Sequence, residues 1–361
     1  MKLPEPQNTT YSKEQFSARE AQQRAQEIAW GPITFQVSRL MVKFGIFELL
    51  SGRAEGTTLE QVAEHAGLTR YATQILLESS LTAQTILMRD DRFFLAKTGW
   101  FLLNDPMSKA NINFNHDVNY LGLFDLEAAL RNGKPEGLKR LGPWKTIYEG
   151  LSQLPPEVQE SWFGFDHFYS DNSFGEALRI VFAAAPRTLL DVGGNTGRWA
   201  LQCVAHDPAV RVTVMDLPAQ LGIMREAVAG APGADRIDGY GADLLNAKTR
   251  FPQGFDAIWM SQFLDCFSEE EAVSILTRAA ASMSPASKLY IMETFWDRQK
   301  YETASFCLAQ TSVYFTALAN GNSKMYHSGD MERCVEAAGL TVEKRYDGLG
   351  FGHSIMQCRV R

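Results

Sequence analysis

Apolar residues recur at threes and fours over residues 17–50. In "ITFQVSRLMVKFGIFELL" they are Ile33, Val37, Leu40, Met41, Phe44 and Phe47, which predicts a helix. Its apolar stripe is broad, so more than one side needs cover, from another helix or another subunit. In "TTLEQVAEHAGLTRYATQILLESSL", Thr58 caps a helix over Leu59–Ala66 and Gly67 ends it. Thr69 caps a second helix that runs to Thr82. "TILMRDDRFFLAKTG" reads as a hairpin with Asp90 and Asp91 at the turn. Two helices at a tight glycine turn followed by a hairpin form a winged helix-turn-helix pattern.

Residues 110–180 read as helices interrupted at Gly133, Pro135, Gly142, Pro143 and Pro155-Pro156. From Arg187 onward strands and helices alternate. "RTLLDVGG", "RVTVMDLP", "RIDGYGADLL", "FDAIWMSQFL" and "SKLYIMETFW" are strands, with helices such as "RWALQCVAHD" and "SEEEAVSILTRAAASM" between them. That alternation predicts a mostly parallel sheet covered by helices, a Rossmann-like α/β fold. "GDMERCVEAAGL" adds a helix, and two further strands end the chain. The expected division is 1–108 for the all-α/winged-helix module, 109–180 for a helical linker and 181–361 for the α/β domain.

A chain of 361 residues agrees with more than one domain. Its 45% apolar and 21% charged residues are those of a soluble globular protein. The net charge of −7, without a block of one sign, argues against a general nucleic-acid binder. Residues 51–105 carry five basic and seven acidic side chains, so the winged-helix module lacks a basic face and suits a protein–protein role. The first residues are polar, and no run of about 18 apolar residues occurs, so neither a secretory signal nor a membrane span is expected. The five cysteines are scattered, with no C-x-x-C pair. They are read as free thiols in a reducing cytoplasm, with no metal site.

The chemistry concentrates in "LLDVGGNTGRWA", where a glycine-rich turn joins a strand to a helix. Gly193 and Gly194 permit a tight turn, and Gly197 permits close approach to the helix. Asp216 ends the next strand, nineteen residues after Gly197, a spacing that suits a carboxylate gripping ribose hydroxyls. Neither the dinucleotide pattern G-x-G-x-x-G nor a P-loop is present. Asp191, just before the loop, would repel phosphate but would suit a cationic amine, such as the methionine part of S-adenosylmethionine. Asp243, in "GADLL", is placed to meet an adenine amino group.

With these motifs in order, the chain resembles the S-adenosylmethionine-dependent O-methyltransferases of the plant caffeate/flavonoid type and their bacterial relatives. "LLDVGGNTGRWA" resembles the DVGGGTG loop of that family, "VTVMDLPAQL" its DLP motif and "GYGADLL" its GDMF-like motif. "FDHFYSDNSFGEAL" resembles the FN-x-x-M-x-x-H-S segment that covers cofactor and substrate. The resemblance spans nearly the whole chain. It implies an N-terminal dimerisation domain, a homodimer, a small-molecule acceptor, and no nucleic-acid or membrane partner. It also implies a site in which Asp191, Gly193 and Gly194 face the amino-acid moiety, Asp216 and Leu217 the ribose, and Asp243 and Leu244 the adenine. Asn195 replaces a glycine, and Asn tolerates the left-handed backbone better than most residues. Met260 stands near the cofactor where many relatives have lysine.

The largest departure lies in "MSQFLDCFSEEE". The family's general-base histidine aligns with Leu264, its aspartate with Asp265 and its tryptophan with Cys266. One orienting carboxylate survives as Glu293, and the second falls near Met325. Leucine accepts no proton, so the candidates are His167, which lies in the covering segment, and Asp265 or Glu293 if burial raises their pKa. His116 and His327 lie in segments that could also line the pocket. Phe165, Tyr169, Trp296, Phe306 and His327 are the expected acceptor pocket, favouring a planar or lipophilic molecule. The expected activity is O-methylation of a small aromatic or lipophilic acceptor without the histidine base. The alternatives are a cofactor-binding relative with non-methylating chemistry, such as decarboxylation or hydroxylation, and a winged-helix regulator that senses the cofactor.

Overall fold

A computed structural model describes residues 10–361. They pack as two units, Thr10–Val118 and Asn119–Arg361.

In the first unit, helix α1 (Ala18–Lys43) starts at a capping box made by Ser17 and Glu20. The single helix expected over 17–50 is broken: Gly45 adopts φ +67° and a short helix, α2 (Ile46–Ser51), follows. His65 Nε2 lies 3.1 Å from the Gly45 carbonyl and 3.0 Å from where a Cβ would stand, so turn and packing both favour glycine there. Thr58 and Gln61 form a second capping box that opens α3 (Leu59–Ala66), and Gly67 closes it at φ +64°. Thr69 accepts from the Ala72 amide at the start of α4 (Arg70–Thr82). Strands β1 (Ile86–Arg89) and β2 (Arg92–Leu95) form the wing, and helices α5 (Lys97–Asn104) and α6 (Pro106–Asn113) follow it. Asp90 and Asp91 turn it with φ +49° and +56°. Met41, Phe47, Val62, Leu77 and Ile86 form the core of this unit. On α1, Ile28, Trp30 and Ile33 stay exposed.

The second unit is built on seven strands: β3 (Thr188–Val192), β4 (Arg211–Asp216), β5 (Ile237–Gly241), β6 (Ala257–Ser261), β7 (Lys288–Glu293), β8 (Leu340–Leu349) and β9 (His353–Val360). Their order is β5-β4-β3-β6-β7-β9-β8. The first five are parallel, and β9 runs antiparallel to both β7 and β8. Side chains alternate between faces. Leu190, Ile258 and Ile291 pack against α13 (Glu269–Ala280) and α15 (Ser328–Ala337). Leu189, Val212, Trp259 and Tyr290 pack against α10 (Phe174–Val181), α11 (Arg198–His206) and α12 (Pro218–Val228). Ahead of the sheet run the short helices α7 (Leu126–Asn132) and α8 (Ile147–Gly150), then α9 (Pro156–Ser170), and α14 (Glu302–Tyr314) follows β7.

Strand order reverses between β3 and β6. Ligands of open α/β sheets bind at such a point, beyond the carboxyl ends of the strands. There the chain puts the glycine loop, Asp216 and the turn at 264–266.

No helix among the described residues is long and apolar enough to cross a membrane.

Candidate active site

The glycine loop follows β3 directly. The Gly193 amide donates to the Met215 carbonyl at 2.9 Å, which ties the loop to β4. Gly193 has φ +71°, and a Cβ there would stand 2.3 Å from the Phe263 ring. A Cβ on Gly194 would stand 2.5 Å from Asp191 Oδ2. Asn195 takes φ +51°, the left-handed conformation expected of it.

Two acids lie beneath this loop. Asp191 is buried, and its Oδ2 has no hydrogen-bond partner among the described residues. Burial, with the charge of Asp216 added, pushes its carboxyl up to about 8. Asp216 accepts the Leu217 amide at 2.7 Å and the Asn195 amide at 3.0 Å. Burial nevertheless raises it to about 6. Asp243 is exposed just beyond β5 and accepts the Leu245 amide at 2.9 Å. Leu244 is buried, and its carbonyl accepts from Arg278. Met260 is fully buried in the sheet core with Leu190 and Leu264.

The turn at Leu264–Cys266 is held from several directions. Glu293, at the end of β7, accepts the amides of Phe263 and Leu264 at 3.1 and 2.9 Å. Its Oε2 is buried without a partner among the described residues. Burial, then the neighbouring Asp265 charge, holds its carboxyl well above the usual range. Asn320 donates to the Cys266 carbonyl and Tyr326 to the Phe267 carbonyl. Before the turn, Gln262 sits at φ +45° with its side chain 3.1 Å from His353 Nε2. His353 Nδ1 is 2.8 Å from Ser173 Oγ. Leu264 itself is fully buried.

Asp265 is buried, its Oδ1 accepts from Cys266 Sγ at 3.5 Å, and burial raises its carboxyl to about 7. Several groups surround it. Trp162 Nε1 donates to the Tyr314 hydroxyl at 2.7 Å. The Tyr314 phenol is raised by burial and by the charges of Cys266, Asp166 and Asp265. Tyr148 on α8 is raised by burial and by Cys266. Asp166 on α9 is raised to about 7 by burial and then by Asp265.

The candidate histidines differ. His167 is half-buried, stacks on Phe163 at 5.7 Å, and leaves Nε2 buried without a partner among the described residues. Burial, then the Arg198 charge, lowers its pKa and keeps the ring neutral. His327 is buried, accepts the Gly329 amide at 3.0 Å and has Nε2 3.6 Å from Asp297. His116 lies in the first unit, with Nδ1 3.3 Å from Gln36. Phe165 stacks on Tyr169, and Trp296 lies edge-on to His327. Phe306 is 53% exposed on α14.

Asp166, Tyr148 and Cys266 are ionisable groups to which sequence reasoning assigned no role. Asp166 stands beside His167 in the covering segment, so an acid aligned with an asparagine of the motif was the available signal. Tyr148 lies in a stretch of broken helices with no motif around it.

Residues 173–340 match the family model described as an O-methyltransferase domain. Residues 22–93 match that of a Dimerisation2-like domain. Residues 173–340 of the chain are thus an O-methyltransferase domain. The enzyme is an S-adenosylmethionine-dependent methyltransferase. It is 23% identical over 320 residues to the L-tyrosine C(3)-methyltransferase of Streptomyces lavendulae, covering 88% of this chain and 86% of the relative. It is 24% identical over 322 residues to the demethylspheroidene O-methyltransferase of Rhodobacter capsulatus, covering 87% and 76%. Among solved structures, the methyltransferase matches the apo form of the S-adenosylmethionine-dependent methyltransferase SibL with a TM-score of 0.71 and 24% identity, over 93% of this chain and 98% of that one. It also matches the neocarzinostatin-pathway O-methyltransferase NcsB1, solved with S-adenosylmethionine and 2-hydroxy-5-methyl naphthoic acid. That TM-score is 0.68 at 17% identity, over 92% and 96% of the two chains.

Proposed function

We propose that this methyltransferase methylates a hydroxyl oxygen of a small aromatic acceptor and that Asp265, not a histidine, receives the hydroxyl proton. The observation that carries the reading is Leu264, fully buried at the position where the resemblance implies the base, beside a buried Asp265 whose carboxyl burial pushes up to about 7. A general base is most effective when its pKa lies near the working pH.

The residues present fit the cofactor. Asp191 offers a buried oxygen without a partner beside a loop whose Gly193 and Gly194 leave no room for a Cβ. Asp191, Gly193 and Gly194 would hold the amino-acid part, Asp216 and Leu217 the ribose, and Asp243 and Leu244 the adenine, with Met260 in the adjoining core. S-adenosylmethionine supplies, when bound, a methyl group on a sulfonium that needs no further activation. What remains for the protein is to align the acceptor, exclude water and take one proton.

Glu293 fixes the backbone of the turn through two amides, so it orients Asp265 rather than a histidine ring. His167 presents a neutral imidazole and is the competing proton acceptor. The charges it senses are those of Arg198 and Asp171. Asp265, by contrast, belongs to the turn that replaces the family's base. Phe165, Tyr169, Trp296, Phe306 and His327 are the proposed acceptor-lining residues. Aromatic rings of this kind suit a planar partner.

The Dimerisation2-like segment and the exposed Ile28, Trp30 and Ile33 on α1 support a homodimer. A monomeric mass in solution would contradict it.

The activity test is incubation with methyl-labelled S-adenosylmethionine and a panel of phenols and naphthols. The expected product is an aryl methyl ether. Label on a ring carbon, or cofactor bound with label transferred to nothing, would overturn the reading.

A further inference from the structure

We propose that His353 is a positioning residue for the methyl transfer: through Gln262 it fixes the turn at 264–266, and Ser173 sets which ring nitrogen faces Gln262. This rests on the reading of Asp265 above and goes beyond it.

His353 opens β9 and is fully buried. It stands at the carboxyl end of β7, where its neighbour Ser354 pairs with Glu293. The ring has a partner on each side. Ser173 Oγ lies 2.8 Å from Nδ1, and Gln262 Oε1 lies 3.1 Å from Nε2. Ser173 ends the stretch that resembles FN-x-x-M-x-x-H-S, and Gln262 stands two residues before Leu264. The hairpin that carries His353 is itself held. Phe351 stacks on Phe168 at 5.1 Å, and the Gly350 amide donates to Glu176 Oε1 at 3.2 Å. Gln299 Nε2 donates to the Gly352 carbonyl at 2.8 Å.

Gln262 is the residue that needs holding. Its φ of +45° is one that side chains other than glycine rarely adopt. Such a conformation persists where surrounding contacts over-determine it. Here the Gln262 amide donates to the Met292 carbonyl at 2.9 Å, and the side chain meets His353. The backbone direction at Gln262 sets where the next amides point. Those of Phe263 and Leu264 are the two that Glu293 accepts.

A neutral imidazole has one N–H to donate. Burial alone pushes His353 down to about 4, so the ring is neutral near pH 7. The Gln262 amide oxygen accepts, so Nε2 carries the proton and donates to it. Nδ1 then accepts the Ser173 hydroxyl, and that bond fixes the tautomer. No proton passes through His353. Its effect reaches Asp265 through the backbone of the turn.

The test uses the full-length protein as wild type, H353N, H353Q, Q262G and the H353N/Q262G double variant. A glutamine amide nitrogen reaches the place of Nε2, and an asparagine oxygen that of Nδ1. H353Q therefore keeps the bond to Gln262, and H353N keeps only the bond to Ser173. Glycine keeps the left-handed backbone of residue 262, so Q262G removes only the side chain. H353N should lower kcat about tenfold with a much smaller change in KM, and H353Q should restore most of that loss. The double variant should be no slower than H353N, since both changes break one contact. In hydrogen exchange of the cofactor-free protein, the Leu264 amide should exchange faster in H353N and Q262G than in wild type or H353Q. Equal losses in H353N and H353Q, a multiplied loss of about 100-fold in the double variant, or an unchanged Leu264 amide would overturn the positioning role. Leu264 exchange that follows the expected pattern while no hydroxyl is methylated supports the contact and overturns the acceptor reading instead. If H353N fails to fold, Q262G decides: wild-type kcat and wild-type Leu264 exchange in that variant overturn the proposal.

Discussion

The amide of Leu264 is held 2.9 Å from Glu293 Oε1. The carboxyl that the resemblance aligns with the family's orienting acid here grips the backbone of the turn where the proposed base stands. Its second oxygen is buried and unpartnered among the described residues, on the end of β7 beside the turn. The proposed base slot and an unpartnered buried oxygen are thus neighbours.

That relationship makes L264H informative. The imidazole would enter an apolar core position, which costs about 1–3 kcal/mol when a buried polar group lacks a partner. Glu293 Oε2 offers a partner, so the loss of thermal stability should stay at or below the lower end. Methylation of phenols should rise, by about tenfold or more if the ring reaches the acceptor. A folded L264H with no gain on phenols would mean that position 264 is not the base's slot. Denaturant unfolding and initial rates check the two halves separately.

Cofactor affinity should depend on pH through Asp191. Its pKa in the free protein is raised to about 8. A cationic amine favours the carboxylate, so binding below that pH must expel a proton. Affinity should therefore strengthen by up to tenfold per pH unit approaching about 8 and level off above it. The same raised pKa means that Asp191 lends the free protein stability at low pH. That stability declines above the ordinary carboxylate range and is gone as pH rises through about 8. Calorimetry of S-adenosylhomocysteine in two buffers of different ionisation heat measures the proton release. D191N should abolish it, and an unchanged release in D191N would remove Asp191 from the account.

G193A should couple the cofactor loop to the catalytic turn. A Cβ there meets the Phe263 ring at 2.3 Å on a backbone with φ +71°. Strain in that conformation costs about 1–2 kcal/mol, and displacing the ring adds to it. The expected outcome is weaker cofactor binding together with a disturbed turn, seen as changed Phe263 and Leu264 signals in NMR. A variant with wild-type affinity and an unshifted turn would contradict the contact.

The α/β architecture was legible because its signals are local. Strand and helix periods alternate from Arg187 onward, and the caps at Thr58 and Thr69 and the glycine at Gly67 mark the winged-helix elements. The left-handed turns at Asp90, Asp91 and Asn195 followed from residue type. The break at Gly45 was missed because the apolar spacing runs on through it. Only a tertiary contact, His65 on the Gly45 carbonyl, discloses it. The placing of Asp191 and Asp216 at strand ends was legible because each follows a motif. Tyr148 and Asp166 were not, because no motif marks Tyr148 and Asp166 stands where the resembled motif has an asparagine. Burial, which sets their protonation, is a property of the packing.

The most direct test of the central claim is single-turnover methyl transfer to a phenolic acceptor by wild type and D265N, at equal cofactor saturation near pH 8. The account expects D265N to bind S-adenosylhomocysteine as wild type does and to transfer the methyl group about 100-fold or more slowly. Equal rates in the two proteins would contradict it, since the proton would then have another acceptor.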